Sequence, residues 1–153
     1  MINEQKNYHY VECGLDNVYL SNGFKFMETS EGTAVSFHDI DGLHKAIGLH
    51  LVTHKKNLIY KEIRFLREEM LMSQSLLASL LGISEQAIHR WETGKTHIPK
   101  PSENLLRLLY RAQVSNQNDN ISKLLKEIAN LEDKINKNTI LFVDTKQGWQ
   151  PAA

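Results

Sequence analysis

The sequence has little cysteine and no long apolar run, and each shortage excludes a class of protein. A single cysteine, Cys13, in 153 residues excludes an internal disulfide framework and any zinc site built from several cysteines. No apolar run is long enough to cross a bilayer, and the start MINEQKNYHY lacks the basic-then-apolar order of a signal peptide. We therefore expect a cytoplasmic protein with no membrane contact.

The sequence also has no excess of either charge, with 18 basic and 18 acidic side chains. By segment, residues 1–57 carry five basic and seven acidic side chains, residues 58–112 carry eight and six, and residues 113–153 carry five and five. The middle segment is therefore the basic one, by two charges. Because attraction to phosphate acts locally at physiological salt, any affinity for nucleic acid must depend on where these groups lie.

Catalytic motifs are missing as well. The chain has no glycine-rich phosphate loop, no nucleophile elbow and no carboxylate pair in a convincing context, and a lone cysteine is more often a small buried residue than a nucleophile. His50 and His54 could share a helix face as paired zinc ligands do, but the spacing fixes no third ligand. We expect no enzyme, no cofactor and no metal. The less favoured alternative is a metal held by histidines of the first 54 residues: His9, His38, His44, His50 and His54.

The first segment predicts a small β-rich module. The runs YHYVE, NVYLSNGFKFME and GTAVSFHDI interleave β-branched and aromatic residues with polar ones, with turns at Asn22-Gly23 and Glu31-Gly32. A short helix from Asp41 to Val52, capped by Asp41, should follow. The aromatic residues of this module form either a surface for a partner or its own small core: Tyr8, Tyr10, Tyr19, Phe24 and Phe26.

The middle segment predicts four short helices. Ser73 is a good N-cap and Gly82 a good stop for the second of them, as Ser84 and Gly94 are for the third, and two prolines break the chain before the fourth. Apolar residues at helical spacing should face the core: Ile59, Ile63, Leu66 and Met70 in the first helix, and Leu105, Leu108 and Leu109 in the fourth. The three segments together predict an α+β fold.

The stretch SQSLLASLLGISEQAIHRWETGK, from Ser73 to Lys95, has the layout of two short helices joined by a tight turn, Leu-Gly-Ile-Ser. Glycine reaches positive φ at little cost in that turn, and the small Ala78 lets the two helices approach closely. The apolar residues that should fix their angle are Leu77, Leu81, Ile83, Ile88 and Trp91. The second helix of the pair should then expose Glu85, Gln86, His89 and Arg90, among them Gln and Arg, which read base edges in a major groove.

This stretch closely resembles the Cro/CI-type (XRE) helix-turn-helix domain. The resemblance rests on Ser-Gln opening the first helix of the pair, Leu-Gly-Ile-Ser at the turn and Arg-Trp-Glu-Thr-Gly-Lys closing the second, and it runs from about Ile59 to Ala112. It implies an all-α, lambda-repressor-like domain that binds double-stranded operator DNA. It also implies a structural ion pair between Arg67 and Glu92.

The same resemblance implies DNA contacts by position. They are Gln74, Ser84, Glu85, Gln86, His89, Arg90, Thr93, Lys95, Thr96 and Lys100. Gln74 matches a residue that clamps a phosphate. Glu85, Gln86 and Arg90 match the base-reading positions, with His89 beside them. Thr93, Lys95 and Thr96 match the loop that follows the DNA backbone, and Lys100 is a further candidate for a phosphate contact. Two of them keep alternatives. Arg90 could be a solvated surface charge, and Glu85 could either accept from cytosine N4 or favour the positive end of the helix dipole.

The overall plan carries a second resemblance. A small N-terminal module before such a domain is similar to the zinc-ribbon antitoxins of the MqsA (YgiT) type, but a single Cys-Gly at Cys13 stands where those ribbons have CxxC pairs. A four-thiolate zinc site therefore cannot form. The resemblance implies an antitoxin without the metal, whose residues 1–57 would cover a toxin protein.

The last segment opens with the polar linker QVSNQNDN and predicts a helix from about Ile121 to Lys137. Its apolar residues recur at close to every 3.5 residues, which suits a core face or a dimer seam. These residues are Ile121, Leu124, Leu125, Ile128, Leu131 and Ile135. The tail predicts a short strand at ILFVD and a loose end at QGWQPAA.

These patterns predict a sequence-specific DNA-binding transcriptional regulator that is located with the nucleoid in the cytoplasm. A repressor is favoured over an activator. It should bind operator DNA as a homodimer through the helix at residues 84–92, because one such helix reads only a few base pairs. It could act alone or as an autoregulating antitoxin of a type II toxin–antitoxin system. The alternative is a protein–protein interaction module with no DNA role, which the neutral net charge leaves open.

Overall fold

The computed structural model describes residues 6–115, 120–133 and 140–152. Within them the chain forms a β-rich N-terminal part, a group of five helices, a further helix and a terminal hairpin. The elements are β1 (Tyr8–His9), β2 (Tyr19–Leu20), β3 (Phe24–Thr29), β4 (Gly32–Phe37), α1 (Ile40–His54), α2 (Tyr60–Glu69), α3 (Gln74–Leu81), α4 (Glu85–Glu92), α5 (Lys100–Val114), α6 (Asn120–Ala129), a 3-10 turn (Asn130–Asp133), β5 (Phe142–Thr145) and β6 (Gly148–Pro151). The predicted α+β fold is confirmed.

The described strands form three separate antiparallel pairs, β1 with β2, β3 with β4, and β5 with β6. The turn predicted at Asn22-Gly23 is confirmed, since these two residues lie between the end of β2 and the start of β3. Gly23 adopts φ 81° and ends one pair before the next begins, while its carbonyl accepts from the amide of His38. The β3–β4 loop is Ser30-Glu31, and Gly32 is already the first residue of β4.

The N-cap of α1 differs from the predicted one. The helix begins at Ile40, and the cap is Asp39, whose Oδ1 accepts from the amide of Gly42 at 3.1 Å. Asp41 lies in the first turn instead, where its charge still favours the positive end of the helix. Asp39 can serve as the cap because it adopts left-handed φ 47°, which Asp tolerates better than most residues.

The four helices predicted for the middle segment are α2 to α5, but two of their apolar residues point elsewhere than expected. Ile59 precedes the first turn of α2 and is 46% exposed, and Leu108 is 53% exposed. Leu106, Leu109 and Tyr110 fill the core from α5 because they share one helix face. With a helix turn of about 100° per residue, Leu108 lies about 100° around the helix from Leu109 and further from the other two.

The core of these helices also includes residues from the N-terminal part. Leu15, Leu51 and Val52 belong to the same cluster of buried side chains as the middle helices, and α1 packs against α2 and α5. α1 and α5 approach each other closely at Gly48, where an added Cβ would lie 2.0 Å from the Tyr110 hydroxyl oxygen. The division into residues 1–57, 58–112 and 113–153 stays a prediction, and this shared core joins the first two parts.

The aromatic residues of the N-terminal part divide between core and surface. Tyr10 and Phe24 are buried, and the ring of Tyr8 packs against Phe24 and Phe37 with centroids 5.3 and 5.4 Å away. Tyr10 and Phe24 therefore belong to the core and not to a surface that contacts a partner. Tyr19 and Phe26 remain exposed, as do the neighbouring Val11 and Met27.

The described part of α6 carries both an inward and an outward apolar face. Leu125 packs against the core, where α6 contacts α3 and α5, whereas Leu124, Ile128 and Leu131 are each more than half exposed. The predicted helix continued to Lys137, but regular α-helix ends at Ala129 and a 3-10 turn follows. The side chain of Ile121 and all of Ile135 lie outside the described residues.

The tail is not loose as predicted, because Gly148–Pro151 pairs with Phe142–Thr145 as a hairpin. Gly148 takes φ 100°, and the Thr145 hydroxyl donates to the Gly148 carbonyl at 2.8 Å while accepting from the amide of Gln147. These bonds close a two-residue turn. The large apolar side chains of the hairpin and of the two residues before it are exposed: Ile140, Leu141, Phe142, Val143 and Trp149.

Candidate nucleic-acid interface

The turn between α3 and α4 is closed by local hydrogen bonds that fix the angle between the two helices. Ser73 caps α3 and Ser84 caps α4, with hydroxyl oxygens accepting from amides three residues on at 3.0 and 3.2 Å. Gly82 takes left-handed φ 69°, and the amide of Ile83 bonds to the carbonyl of Ala78. Ala78 is buried where the helices meet, so α3 sets the orientation of α4.

Helix α4 has one buried and one exposed face. Ile88 and Trp91 are buried in the core. The exposed face carries the four residues predicted to read bases, and none of their side chains has a hydrogen-bond or ion-pair partner among the described residues: Glu85, Gln86, His89 and Arg90. Arg can contact guanine through two hydrogen bonds and Gln can contact adenine the same way. The face is therefore free to bind an external partner.

The ion pair that braces this face is present in the structure. The guanidinium of Arg67 donates from Nε to Glu92 Oε2 at 2.7 Å and from Nη2 to Glu92 Oε1 at 2.8 Å. Both side chains are nearly buried, and the hydrogen bond with Glu92 raises the pKa of Arg67 above its ordinary value despite burial. The two-bond geometry ties the end of α2 to the last turn of α4.

Gln74 is joined to the same pair. Its Nε2 donates to Glu92 Oε1 at 3.1 Å, so the side chain is held at the start of α3. The amide has two N–H donors, and the second is available for a phosphate. The predicted phosphate contact of Gln74 is thus compatible with its position, and Glu92 positions Gln74 as well as Arg67.

The turn before Gln74 contains a feature that the sequence analysis missed. Leu71 adopts left-handed φ 56° and is 90% exposed. The amide of Met72 bonds to the carbonyl of Arg67, which is the longer bond of a Schellman helix end, and glycine usually stands at the position of Leu71 in that motif. No sequence signal marks this conformation, because leucine disfavours it.

The remaining predicted contacts differ in how free their side chains are. Lys95 and Thr96 are exposed in the loop after α4, and their amides bond to the carbonyl of Arg90. The Thr93 hydroxyl donates to the carbonyls of His89 and Arg90, and the Ser84 hydroxyl serves as the α4 cap. These two hydroxyls therefore support the geometry of α4.

Lys100 takes part in an internal cluster. Its ammonium donates to Glu103 Oε2 at 2.5 Å and to the carbonyl of Lys56 at 3.1 Å. The other Glu103 oxygen accepts from the amide of Leu58 at 2.6 Å. Burial on its own would raise the pKa of Glu103, but the Leu58 amide, Lys100 and Arg107 together hold that pKa below its ordinary value.

Arg107 completes this cluster at the end of α1. Its guanidinium donates to the carbonyls of Leu51 and Lys55 at 3.0 and 2.6 Å. The roles of Arg107 and Glu103 could not be predicted from the sequence, because the backbone groups that they bind lie 45 to 56 residues earlier in the chain. Their positions one turn apart on α5 were the only available signal.

The histidines do not form a metal site among the described residues, where no cluster of three metal-ligating side chains occurs. His50 and His54 stack on each other, and His44 bonds through Nε2 to the Tyr10 hydroxyl and through Nδ1 to Glu69. His44 thus links the N-terminal part to α2. Within the described residues, no helix has the length and apolar content to span a bilayer.

Two short helices at a fixed angle, the second with a free polar face beside a braced Gln74, define a DNA-binding helix-turn-helix domain. A comparison with family models agrees, since residues 63–107 match the family described as Helix-turn-helix. The chain thus contains an XRE-type DNA-binding domain of the kind found in regulators. Searches of curated proteins and of solved structures gave no match. The resemblance to MqsA-type antitoxins receives no support from these comparisons.

Proposed function

We propose that the chain is a sequence-specific transcriptional regulator, acting as a repressor in the cytoplasm on nucleoid DNA, that reads its operator with α4. The observation that carries this proposal is the free face of Gln86, His89 and Arg90, which α3 and the Arg67–Glu92 pair hold in a defined orientation. Because the helix that carries these side chains is fixed, only their own rotamers have to be ordered on binding, and Gln and Arg can then discriminate between base pairs.

We propose further that the active form is a homodimer. A single recognition helix reads few base pairs, and symmetric operators match a twofold protein. The outward stripe of α6 supports this, because Leu124, Ile128 and Leu131 remain exposed at i, i+4 and i+7. Leu125 has a different part, since it anchors α6 to its own chain.

The test is selection of bound sequences from a random duplex library with wild type and with Gln86→Ala/Arg90→Ala. The matched control is Gln147→Ala/Arg111→Ala, which removes the same side-chain types from exposed positions outside α3 and α4. We expect a palindromic motif from wild type and control, relaxed or lost in the α4 variant. The absence of an enriched motif from folded wild type would favour the interaction module without a DNA role.

The dimer is tested separately by Leu124→Asp/Ile128→Asp, studied by analytical ultracentrifugation. We expect a folded monomer whose affinity for the palindrome falls by about 100-fold or more, because two half-sites no longer bind together. An unchanged dimer would refute the proposed role of α6 and leave base reading by α4 intact.

An antitoxin is the second candidate, favoured by the exposed apolar residues Tyr19, Phe26 and Met27 on the N-terminal part. Exposed apolar side chains of this size can mark protein-binding surfaces. Phe26 and Met27 are consecutive on β3, so they offer one such side chain on each face of the β3–β4 pair. Affinity purification from the native host at low salt, with wild type and Phe26→Ser/Met27→Ser, tests it. A small protein that binds wild type and is lost with the variant supports a toxin partner, and recovery of the chain by itself counts against one.

A further inference from the structure

A groove of about 500 Å³ lies behind the loop that joins α4 to α5. Its inner wall consists of the buried side chains of Leu58, Ile63 and Trp91. Gly94 and Thr96 of the loop form one side. Base reading by α4 makes no use of this groove, and its volume lies within the range of about 300–1000 Å³ that is usual for small-ligand sites.

The groove presents aromatic surface to a ligand. Trp91 lines its base, and Tyr60 lines its rim, where the side chain stays 41% exposed beside the half-exposed Ile59. Gly94 takes φ 77°, and an added Cβ there would lie 3.4 Å from the Tyr60 ring. The loop therefore packs closely along the Tyr60 ring. A flat apolar ligand could enter beside these rings in stacked or edge-on contact.

The charged cluster at this end of the groove is positive by one charge, because Lys100 and Arg107 both lie beside the single carboxylate of Glu103. Lys100 is 58% exposed and has three N–H donors, of which two bond to Glu103 and Lys56. Glu103 is the acid among the described lining residues, and its side chain is 3% exposed with both oxygens engaged. The side chains of Asn57 and His97 also line the groove and have no hydrogen bond to the described residues. These groups complement a carboxylate.

We propose that this groove binds a small aromatic carboxylate, with the ring between Tyr60 and Trp91 and the carboxylate on the free donor of Lys100. The groove adjoins the DNA interface, because two of the elements that line it belong to that interface. Trp91 is part of α4, and Gly94 and Thr96 are part of the loop that follows α4. A ligand that contacts this loop changes the affinity for DNA. That regulatory part rests on the proposed DNA-binding function, whereas the binding site does not.

Binding is measured by fluorine NMR on the full chain labelled with fluorotryptophan. The chain has two tryptophans, so Trp149→Phe leaves Trp91 as the single reporter in the groove wall. The probes are naphthoate and the neutral isostere naphthamide. We expect a saturable shift with naphthoate and binding about tenfold weaker with naphthamide, as the loss of one charge-assisted hydrogen bond predicts.

Four variants locate the site. Lys100→Gln should bind both probes equally, Lys100→Arg should keep the preference for naphthoate, and Ile98→Phe, which fills the groove without removing a charge, should weaken both. Leu71→Ala removes an exposed apolar side chain outside the groove and should change nothing. A shift that does not saturate, naphthamide binding as tight as naphthoate, or a preference that survives Lys100→Gln would overturn the proposal.

The link to DNA is measured with the same probe. Naphthoate at saturation should change the affinity for a duplex at least threefold with wild type and leave it unchanged with Ile98→Phe. Probe binding without any change in DNA affinity would overturn the regulatory part and keep the site. Failure of the proposed DNA-binding function would appear as no duplex binding at all, while the Trp91 shift persisted.

Discussion

Leu71→Gly should stabilise the protein although it removes an apolar side chain. Leu71 sits at φ 56° between α2 and α3 with 90% of its surface exposed, so little hydrophobic burial is lost. The left-handed conformation costs a residue with a Cβ about 1–2 kcal/mol, and glycine avoids that cost. Glycine loses more chain entropy on folding, by roughly 0.5–1 kcal/mol. The difference between the mid-range values gives an expected net gain of about 0.75 kcal/mol.

Leu71→Ala is the matched control, because it removes the same exposed side chain and keeps the Cβ. It should change the stability by less than about 0.5 kcal/mol. Thermal and urea unfolding of the three proteins provide the comparison, with Tm about 1–4 °C higher for the glycine variant. If the glycine variant were no more stable than the alanine variant, the Leu71 conformation would carry no strain and the reasoning would fail.

Three further predictions concern the packing and the buried charges. Gly48→Ala should destabilise the protein by about 1–3 kcal/mol, because the added Cβ overlaps the Tyr110 ring. Calorimetry should show that this loss of stability disappears in a Tyr110→Leu background. A loss that persists in that background would refute the contact. Burial raises the pKa of Tyr110 to about 12, so its contribution to the free energy of unfolding is fully present below pH 10 and is lost between pH 10 and 12. Unfolding scans of Tyr110→Phe should show a smaller decrease in stability over this range. The same decrease in both proteins would contradict the prediction. The pKa of Glu103 is lowered, so its contribution to the free energy of unfolding is present above its ordinary pKa of 4.5 and is lost as the pH drops through the lower folded value. Glu103→Gln should remove that part of the acid transition measured by circular dichroism. Acid transitions that superimpose would refute the contribution of Glu103.

The helix-turn-helix region could be predicted because its signals are local. Ser73, Gly82 and Ser84 each act within three or four residues, and each takes in the structure the capping role that its residue type indicates. The free face of α4 follows from the same periodicity that buries Ile88 and Trp91. The sequence therefore predicts both the geometry of the turn and the candidate reading face.

The parts that could not be predicted depend on distant partners or on disfavoured conformations. The bond from Leu58 to Glu103 spans 45 residues, and the groove exists because α2, α4 and the following loop meet in space. The left-handed Leu71 runs against residue preference, so pattern alone misses the end of α2. Two aspartates near the start of α1 are both plausible caps, and pattern alone places the cap at Asp41, two residues late. The first strand of the terminal hairpin was predicted at ILFVD, but the second was missed because it contains a proline and one large apolar residue.

The cluster of Glu103 and Arg107 has a consequence for how a partner would be presented to DNA. Arg107 donates to the carbonyls of Leu51 and Lys55 at the end of α1, and Glu103 accepts from the amide of Leu58. Side chains of α5 therefore hydrogen-bond to both ends of the connection between α1 and α2. A tether of this kind transmits orientation, whereas a flexible linker transmits only proximity. Because His44 of α1 also bonds to Tyr10 next to β1, a protein bound to the N-terminal strands would be presented to DNA in a defined orientation. Its place along the DNA would follow from the register of the operator.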